Sequence, residues 1–311
     1  MQLTSSIDKV LTPTAIALGN FDGIHRGHVE VVKPVLVKNI QNEAIPTVVT
    51  FEPHPREFFS GKSRKLLTPG RERLKQLESL GVQQLVLLPF NKKLASLTPQ
   101  EFITDILVKK LQATYISVGK DFHFGRNRKG TITDLKAIAT PFNIEVSIAS
   151  LKTCTGNGYS EEPIRISSSL VRQALSEGKI PQANYLLGRP YTLIGKVIIG
   201  QKLGRTIGFP TANLQLPETK FLPRQGVYSV QVNLQEDDYS LLGVMNLGCR
   251  PTIDGKSISV EVHLLDWSGD LYGQTLTVSL QKFLRPEQKF PSLDALKKQI
   301  ALDCEAVRAA N

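Results

Sequence analysis

The stretch GNFDGIHRGH, residues 19–28, decides the fold of the first half of the chain. It follows an apolar run at residues 15–18 that predicts a buried strand, and it precedes residues 29–40, which predict a helix. A strand, a glycine-rich turn and a helix start are a common geometry for holding phosphate, because the first amides of the helix point at the anion. Gly27 lies between His25 and His28, so the backbone there can approach a ligand closely.

The spacing of this stretch matches neither a Walker loop nor a G-x-G-x-x-G fingerprint. It is an H-x-G-H signature, and it resembles that of the nucleotidyltransferase branch of Rossmann-like folds. In isolation, two histidines at this spacing are read more simply as ordinary residues of a helix start. Their place inside the longer stretch, directly after a strand, favours a site for a nucleotide.

The remainder of the first half alternates between strand and helix patterns. Residues 44–51, 85–88, 115–118 and 144–148 are β-branched or apolar and predict four further buried strands. Helices are predicted from Thr68-Pro69, from the capping box Thr98-Pro99-Gln100-Glu101, and from Ser167 or Ser168 as N-cap. The alternation predicts an α/β Rossmann-like domain with a mostly parallel sheet covered on both faces.

Four segments are expected to meet at one edge of this sheet. They are residues 19–28, the proline-stiffened loop EPHPRE at residues 52–57, the basic loop at residues 119–130, and the helix start near Ser167. Ligands of such sheets bind beyond the carboxyl ends of the strands, where all four segments lie. The basic residues of the third segment are also compatible with a solvated charge run.

From Tyr191 onward the pattern changes to short strands separated by turns. Residues 191–199, 226–234, 241–245, 257–265 and 276–280 predict strands, and no long helix separates them. This predicts a small antiparallel β-barrel, closed by a C-terminal helix at about residues 293–309. The expected buried stripe of that helix is Leu293, Leu296, Ile300 and Val307.

The predicted barrel carries its own polar cluster. Residues 204–213 form a glycine-bounded loop whose amides can wrap phosphate, and its oxygen-bearing Thr211 and Asn213 can face a hydrated Mg²⁺. Glu261 and His263 alternate along one strand and therefore share a face. We expect that face to point inward, where a carboxylate is costly without a partner or a task.

Length and composition set the broad class. The chain has 311 residues, which favours two domains, predicted as residues 1–186 and 187–311. Its apolar runs fall short of the roughly 20 residues that cross a bilayer, no secretory signal is visible, and its three cysteines lie far apart. These features predict a cytoplasmic protein with no membrane partner.

The net charge is +10 and it is uneven. Residues 1–186 hold 24 Lys and Arg against 16 Asp and Glu, whereas residues 187–311 hold 14 against 12. A basic excess favours an anionic partner. Long basic runs are absent from the sequence and aromatic residues make up only 7%, so a nucleotide is favoured over a nucleic acid.

Taken together, the motifs resemble those of bacterial bifunctional riboflavin kinase/FMN adenylyltransferases, also called FAD synthetases. The motifs that carry the resemblance are GNFDGIHRGH, FEPHPRE, GKDFHFGRNRKG, RISSSLVR, GRTIGFPTAN, NLGCRPT, VEVHLLD and LYG, in that order. The resemblance implies that the barrel phosphorylates riboflavin with ATP to give FMN. It implies that the first domain then joins FMN to AMP from a second ATP, which gives FAD and pyrophosphate.

The same resemblance assigns roles to individual residues. In the first domain it implies ATP or phosphate contacts from Gly19, Asn20, Phe21, Asp22, His25, His28, Ser167, Ser168 and Arg172. It implies FMN contacts there from His54, Pro55, Arg56, Asp121, Phe122 and Asn127. In the barrel it implies ATP contacts from Gly204, Arg205, Gly208, Phe209, Pro210, Thr211 and Asn213, flavin contacts from Arg285 and Glu287, and Mg²⁺ at Thr211 and Asn213. Glu261 is implied as the catalytic base of the kinase, with His25 and His28 catalytic in adenylyl transfer.

Two other functions are consistent with parts of the sequence. One is an enzyme with a single active half, whose other half only binds flavin. The other is an RNA-associated protein, because H-x-G-H also occurs in aminoacyl-tRNA synthetases, although the lysine signature and tRNA-binding region of a synthetase are not found. The expected partners are the small molecules riboflavin, FMN and ATP, with self-association left open as a possible homo-oligomer.

Overall fold

The computed structural model describes residues 1–42, 44–155, 162–200, 204, 207–234, 240–252 and 255–310. The chain divides into two compact units, Met1–Ser168 and Ser169–Asn311. This division falls at the start of a helix, Ser168–Ser176. The domain boundary between residues 186 and 187 stays a prediction.

The first unit is built on a parallel sheet of six strands. These are β1 (Gln2–Thr4), β2 (Thr14–Leu18), β3 (Ile45–Glu52), β4 (Gln84–Pro89), β5 (Ala113–Gly119) and β6 (Glu145–Ala149), in the order β1-β4-β3-β2-β5-β6. All five neighbouring pairs are parallel, and a separate two-stranded ribbon joins β7 (Thr153–Cys154) and β8 (Ile164–Arg165). The predicted α/β fold is confirmed, with β1 as an edge strand that was not predicted.

Both faces of the sheet are buried. In β2, Ile16 and Leu18 pack into one apolar cluster, while Ala15 and Ala17 pack into another. Successive side chains of a strand point to opposite faces, so the two clusters lie on the two sides of the sheet. A strand that is buried on both sides reads as a continuous apolar run, which is why residues 15–18 identified it.

Helices connect the strands of the first unit. They are α1 (Arg26–Asn42), α2 (Pro55–Ser60), α3 (Arg71–Ser79), α4 (Lys92–Ser96), α5 (Pro99–Glu101, continuing as a π-helical segment Phe102–Val108) and α6 (Ile132–Ala139). The next helix, α7 (Ser168–Ser176), starts at the last residue of the first unit and otherwise belongs to the second. Short 3-10 turns lie at Ile7–Lys9, Arg126–Arg128 and Thr140–Phe142.

Two helix predictions and one loop prediction can be compared with the structure. The capping box at Thr98 is confirmed, because its hydroxyl accepts from the amide of Glu101 and the Glu101 carboxylate accepts from the amide of Thr98. The helix predicted from Thr68 begins later, at Arg71, because the amide of Thr68 donates to a side chain of a neighbouring loop. The segment read as a stiff loop contains α2, with Pro55 at its first position.

The second unit is a closed antiparallel barrel flanked by helices. Its strands are β9 (Tyr191–Ile198), β10 (Ala212–Gln215), β11 (Gly226–Leu234), β12 (Ser240–Thr252), β13 (Gly255–Leu264) and β14 (Thr275–Arg285), in the order β10-β13-β12-β11-β14-β9. Helix α8 (Ile180–Leu187) precedes the barrel, and the C-terminal helix (Leu293–Ala309) follows it. The predicted barrel and its closing helix are confirmed.

The two faces of β13 differ from our expectation. Val260, Val262 and Leu264 are 4%, 1% and 6% exposed, and they alternate with the half-buried Glu261 and His263. In a closed barrel the fully buried set fills the interior. Glu261 and His263 therefore lie on the outer face, and the expectation that they point inward was wrong.

The C-terminal helix covers part of that outer face. Val307 and Cys304 pack with barrel residues Val227 and Val244 in one apolar cluster. Leu293, predicted to lie in the buried stripe, is 56% exposed, because the helix first meets the barrel in its later turns. Val307 is fully buried and was predicted correctly.

Candidate active sites

The two histidines of the H-x-G-H signature form a stacked pair in the first unit. The ring centroids of His25 and His28 are 3.7 Å apart with planes inclined by 15°, and the ring of Phe21 lies 5.3 Å from that of His28. His25 is 5% exposed, and its Nδ1 accepts from the amide of His28 at 3.2 Å. The neutral form of His25 therefore carries its proton on Nε2. A Cβ at Gly27 would lie 3.2 Å from this ring, so the glycine permits the close approach.

The turn before these histidines is held by Asp22. Its Oδ1 accepts from the amides of Leu67 and Thr68 at 2.8 and 3.3 Å, and the Thr68 hydroxyl accepts from the amide of Gly23 at 2.9 Å. The next residue, Ile24, has a left-handed φ of +43°, which is costly for a β-branched side chain. Asp22 is 7% exposed and thus serves at least to fix a strained turn, a role that sequence reasoning missed.

Contacts join three of the four segments that were expected to meet at the carboxyl edge of the sheet. The Ser168 hydroxyl donates to the carbonyl oxygen of Asp22 at 2.8 Å, and a Cβ at Gly27 would lie 3.6 Å from the carbonyl oxygen of Ile166. Asp121 in the loop after β5 forms an ion pair with Arg165. The segment at residues 165–168 therefore contacts the loops after both β2 and β5.

His54 caps the short helix α2 that follows β3. Its Nδ1 accepts from the amide of Arg56 at 3.0 Å, while the Glu57 carboxylate accepts from the amide of His54 at 3.1 Å. Burial and the positive charge of Arg64 lower the pKa of His54 to about 4, and the charge of Asp22 acts in the opposite direction. At neutral pH His54 is therefore uncharged and holds its proton on Nε2, where it can donate to a ligand oxygen.

The basic loop after β5 is closed at its base. Phe124 and Gly130 exchange two backbone hydrogen bonds of 3.1 and 2.9 Å, and the rings of Phe122 and Phe124 are stacked at 5.7 Å. Asn127 and Arg128 both have a φ of +57°, which tightens the tip. The exposed residues of the tip are Arg126, Asn127, Arg128 and Lys129. The closure presents this positive charge to solvent, where an anionic ligand can meet it.

The other predicted residues of this site have varied surroundings. Asn20 and Arg56 are exposed, while Pro55 and Ser167 are half-buried. The amide of Gly19 donates to the carbonyl oxygen of Val49. Arg172 belongs to the second unit, where its guanidinium carbon lies 4.9 Å from the ring centroid of Phe221.

In the second unit, Glu261 lies between two carboxamides. Strand pairing places Asn213 of β10 directly opposite Glu261 of β13, and Asn246 of β12 directly opposite it on the other side. Residues that face each other in antiparallel strands project to the same face. The row therefore brings the predicted base beside one predicted metal ligand, Asn213, and beside a residue that sequence reasoning left without a role, Asn246.

The loop that precedes Asn213 is fixed to the same outer face. His263 Nδ1 donates to the carbonyl oxygen of Pro210 at 2.8 Å, and its ring lies edge-on to Phe209 at 5.5 Å. The carbonyl oxygen of Gly204 accepts from the amide of Phe209 at 2.8 Å. A side chain at Gly204 would collide with the Phe209 carbonyl group, so the turn requires glycine. Gly208 has a φ of +87°, and predicted Arg205 lies outside the described residues.

Thr211 and Asn213 fit the requirements of a magnesium ion. They offer a hydroxyl and an amide oxygen at alternate positions of the chain, and the backbone of Gly204 lies close to Thr211 Oγ1, since a Cβ there would be 3.3 Å from that oxygen. Mg²⁺ prefers oxygen donors and takes most of its shell from phosphates and water. Within the described ranges, no cluster of three His, Cys, Asp or Glu side chains offers an alternative metal site.

Arg285, predicted to bind flavin, is engaged in a buried ion pair. Its Nε and Nη2 donate to the two carboxylate oxygens of Asp303 at 3.0 and 2.8 Å, and Gln299 donates to the same carboxylate at 3.1 Å. The Arg285 and Asp303 side chains are 18% and 6% exposed. The pair ties the C-terminal helix to the end of β14. The signal that could have found it is Asp303 itself, an acidic residue inside the apolar stripe of that helix.

Glu287, the second predicted flavin residue, lies against β12. The Glu287 carboxylate lies directly over Gly248, where a side chain on residue 248 would displace it. Gly248 belongs to β12, two residues after Asn246. The segment after β14 therefore reaches the strand that flanks Glu261.

Comparison with known proteins identifies the two parts of the chain. Residues 7–163 match the family described as FAD synthetase, and residues 187–311 match the family described as riboflavin kinase. Among the described residues, no helix is both long and apolar enough to cross a bilayer.

Several curated proteins align with nearly the whole chain. The bifunctional riboflavin kinase/FMN adenylyltransferase of Escherichia coli strain K12 is 42% identical over 289 residues, which are 93% of this chain and 90% of that protein. The protein of the same name from Pseudomonas fluorescens is 41% identical over 302 residues, 94% of this chain and 91% of that protein. The one from Haemophilus influenzae is 38% identical over 303 residues, 97% and 96% of the two chains.

A solved structure shares the whole fold. It is described as a macrolide-efflux protein from Streptococcus pneumoniae, with a TM-score of 0.86, 33% identity and coverage of 99% of this chain and 98% of that one. Its description names macrolide efflux, an activity that the descriptions of the two matched families do not mention. With FAD synthetase sequence in its first half, riboflavin kinase sequence in its second, and relatives that align over nearly the whole chain, the chain belongs to the bifunctional riboflavin kinase/FMN adenylyltransferase family.

Proposed function

We propose that the two activities of this family are carried out at two separate centres of the chain. The first surrounds His25 and His28 and transfers an adenylyl group to FMN. The second surrounds Glu261 on the outer face of the barrel and phosphorylates riboflavin. The observation that supports the second centre best is the row Asn213–Glu261–Asn246, because it places a carboxylate beside the proposed metal ligand.

In the adenylyl transfer, the phosphate of FMN attacks the α-phosphorus of ATP and pyrophosphate leaves. The nucleophile is already an anion, so no general base is needed. His25 and His28 stabilise the charge that develops on the transferring phosphate, together with the first amides of α1. Neutral His54 and the exposed cations of the loop after β5 bind the phosphates or the FMN.

In the kinase reaction, the nucleophile is a neutral hydroxyl of the ribityl chain, so a base accelerates the reaction. Glu261 accepts the hydroxyl proton as the oxygen attacks the γ-phosphorus of ATP and ADP leaves. The turn from Gly204 to Phe209 covers the phosphates. Thr211 and Asn213 would hold Mg²⁺, which neutralises phosphate charge when it is bound.

Product analysis of two variants tests these assignments. In His28→Ala we expect FAD formation to fall by at least about 100-fold, because a donor to the transition state is lost, while FMN formation from riboflavin is retained. In Glu261→Gln we expect FMN formation from riboflavin to fall, while FAD formation from supplied FMN is retained. The assay follows riboflavin, FMN and FAD chromatographically, with both variants checked for native thermal unfolding.

Three results would contradict this proposal. Loss of both products in one variant would show that the centres do not work separately. FMN production by Glu261→Gln at the wild-type rate would exclude Glu261 as the base. Failure of the unmodified chain to make one of the two products would support an enzyme with a single active half.

We also propose that the enzyme acts in the cytoplasm and uses small molecules rather than nucleic acid. The described cysteines Cys154, Cys249 and Cys304 are all free thiols, which is the ordinary state in a reducing compartment. Cell fractionation and a nucleic-acid filter-binding assay test these two points. A homo-oligomer stays a prediction, to be measured by sedimentation velocity.

A further inference from the structure

His263 lies on the outer face of β13, two residues after Glu261, and it contacts the chain that leads into β10. Its Nδ1 donates to the carbonyl oxygen of Pro210 at 2.8 Å. A carbonyl oxygen can only accept, so Nδ1 carries a proton in this contact. One neutral tautomer and the cationic ring both have that proton, so the bond is compatible with either charge state.

The segment that His263 holds is the turn before β10, residues 207–211. Strand β10 begins at Ala212 and pairs with β13 from there onward, so Pro210 lies two residues outside this pairing. Pro210 has no amide hydrogen, and its carbonyl oxygen is therefore the only backbone polar group that it offers. The His263 side chain thus extends the attachment of the chain to β13 beyond the paired residues.

Phe209 gives this turn a second contact with the same ring. The rings of Phe209 and His263 are edge-on, with centroids 5.5 Å apart and planes inclined by 79°. Phe209 also packs against the apolar cluster that the barrel shares with the C-terminal helix. A residue before proline is restricted to extended conformations, so Phe209 and Pro210 form a stiff unit. Because this unit is held at both residues, the direction in which the chain continues to Thr211 is fixed as well.

We propose that His263 is a positioning residue for riboflavin phosphorylation, and that it holds the turn at residues 207–211 where the turn receives the phosphates of ATP. This rests on the proposed function, in which the turn covers those phosphates. ATP then meets a turn that is already in place, and its binding does not have to order the turn. His263 makes and breaks no bond and transfers no proton, since Glu261 takes the proton of the ribityl hydroxyl.

Two substitutions separate the hydrogen bond from the ring contact. His263→Phe keeps an aromatic ring beside Phe209 but has no donor for the carbonyl oxygen of Pro210. His263→Asn loses the ring, but its amide nitrogen is bonded to Cγ, as Nδ1 is in histidine, and can donate to the same oxygen. Both are made in the full chain, and thermal unfolding and FAD formation from supplied FMN verify that each variant is folded.

In His263→Phe we expect the KM for ATP in riboflavin phosphorylation to rise about 3- to 10-fold, as for the loss of one ordinary hydrogen bond. The kcat at saturating ATP and the KM for riboflavin should change less than about 2-fold, because bound ATP restores the turn and the base is untouched. In His263→Asn the KM for ATP should stay within about 2-fold of the wild type. The rate is measured as loss of riboflavin, so conversion of FMN to FAD does not obscure it.

Amide hydrogen exchange gives a readout that does not depend on turnover. The amide of Phe209 donates to the carbonyl oxygen of Gly204 at 2.8 Å, so its exchange reports how firmly the turn is held. Without ligand, a peptide that contains Phe209 should exchange faster in His263→Phe than in the wild type. Peptides from β11 and β14 should exchange at the wild-type rate, because neither strand pairs with β13.

His123→Phe is the matched control. His123 also has its Nδ1 in hydrogen-bond contact with a backbone carbonyl oxygen, that of Asp121 at 3.0 Å, but it belongs to the first unit. The substitution therefore removes the same kind of contact from the unit that does not contain the barrel. The KM for ATP in riboflavin phosphorylation should stay at the wild-type value.

A wild-type KM for ATP in His263→Phe overturns the proposal. So does an equal rise of this KM in His263→Phe and His263→Asn, because the hydrogen bond would then contribute nothing. A lower kcat with an unchanged KM for ATP would place His263 in the chemical step, and faster exchange throughout β11 and β14 would make its role structural, so each of these also overturns it. Failure of the proposed function is distinct, because the unmodified chain would then form no FMN from riboflavin.

Discussion

His54 shows how a single side chain can combine two tasks at a site. Its Nδ1 is occupied by the amide of Arg56 at the start of α2, so only its Nε2 is available to a ligand. Its pKa of about 4 keeps the ring uncharged at neutral pH. A neutral donor beside several cations can approach a phosphate or a flavin carbonyl without adding to their mutual repulsion.

The lowered pKa of His54 gives a prediction about stability. As the pH falls below about 6.5, His54 takes up a proton more readily in the unfolded chain than in the folded chain, so the first unit loses stability between about pH 6.5 and 4. The full shift corresponds to roughly 3 kcal/mol, and partial exposure reduces this to about 1–2 kcal/mol. His54→Asn keeps an N-cap acceptor without a titrating group and should remove this part of the pH dependence.

The measurement is urea unfolding of wild type and His54→Asn from pH 7.5 to 4.5, with the difference between them plotted against pH. The exposed His123, replaced by Asn, is the matched control and should leave the profile unchanged. A constant difference between wild type and His54→Asn across this range would contradict the prediction.

At the scale of elements, the C-terminal helix depends on one buried ion pair. Asp303 accepts from Arg285 and Gln299, and both charges of the pair lie largely out of solvent. Asp303→Asn leaves the Arg285 guanidinium without its countercharge, which costs about 3–5 kcal/mol for a buried pair. Because β14, β12 and this helix meet at Glu261's face of the barrel, we also expect slower FMN formation.

The fluorescence of the chain's single tryptophan can report the loss of stability that is expected in Asp303→Asn. Trp267 lies in the second unit, so its fluorescence follows the unfolding of the barrel in urea. Arg308→Gln is the matched control, since Arg308 is on the same helix but pairs with the exposed Asp266. Because solvent screens an exposed ion pair, the urea midpoint of Arg308→Gln should stay close to that of the wild type. Equal shifts of the urea midpoint in Asp303→Asn and Arg308→Gln would show that the buried ion pair contributes no more to stability than the exposed one.

Much of the element order followed from the sequence, and the exceptions have physical causes. Residues 15–18 and the capping box at Thr98 were identified because burial on two faces and helix capping each leave a clear local pattern. The three residues of β1 are too short for any periodicity. In α2, a proline at the first helical position looks the same as a proline in a rigid loop.

The residues of the two sites were predicted less completely than the elements. The alternation of Val260, Val262 and Leu264 already indicates that Glu261 projects away from the barrel interior, but this requires knowing that the apolar set faces inward. The bond of Asp22 to the Leu67 and Thr68 amides joins positions far apart in sequence and leaves no local signal. The same holds for the pairing of Asn246 with Glu261, which depends on the register of the strands.

At the scale of the molecule, the chain consists of two compact units with separate cores. FMN is the product of one reaction and a substrate of the other, and it is a soluble molecule. Mixing His28→Ala with Glu261→Gln, each inactive in one step, should therefore restore FAD formation from riboflavin and ATP. The lag before FAD appears should shorten as the protein concentration rises. No FAD in the mixture would mean that FMN must pass within one chain.

The two faces of β13 have a consequence for how this enzyme can change over time. The side chains of Val260, Val262 and Leu264 fill the barrel, while those of Glu261 and His263 lie on the face of the proposed chemistry. Substitutions at residues 261 and 263 change the proposed kinase centre and its adjoining loop, whereas substitutions at residues 260, 262 and 264 change the packing inside the barrel. In a saturation library across residues 260–264, the fraction of substitutions that still fold should therefore alternate with a period of two residues. Adaptation of the kinase can then proceed along one strand while its scaffold stays the same.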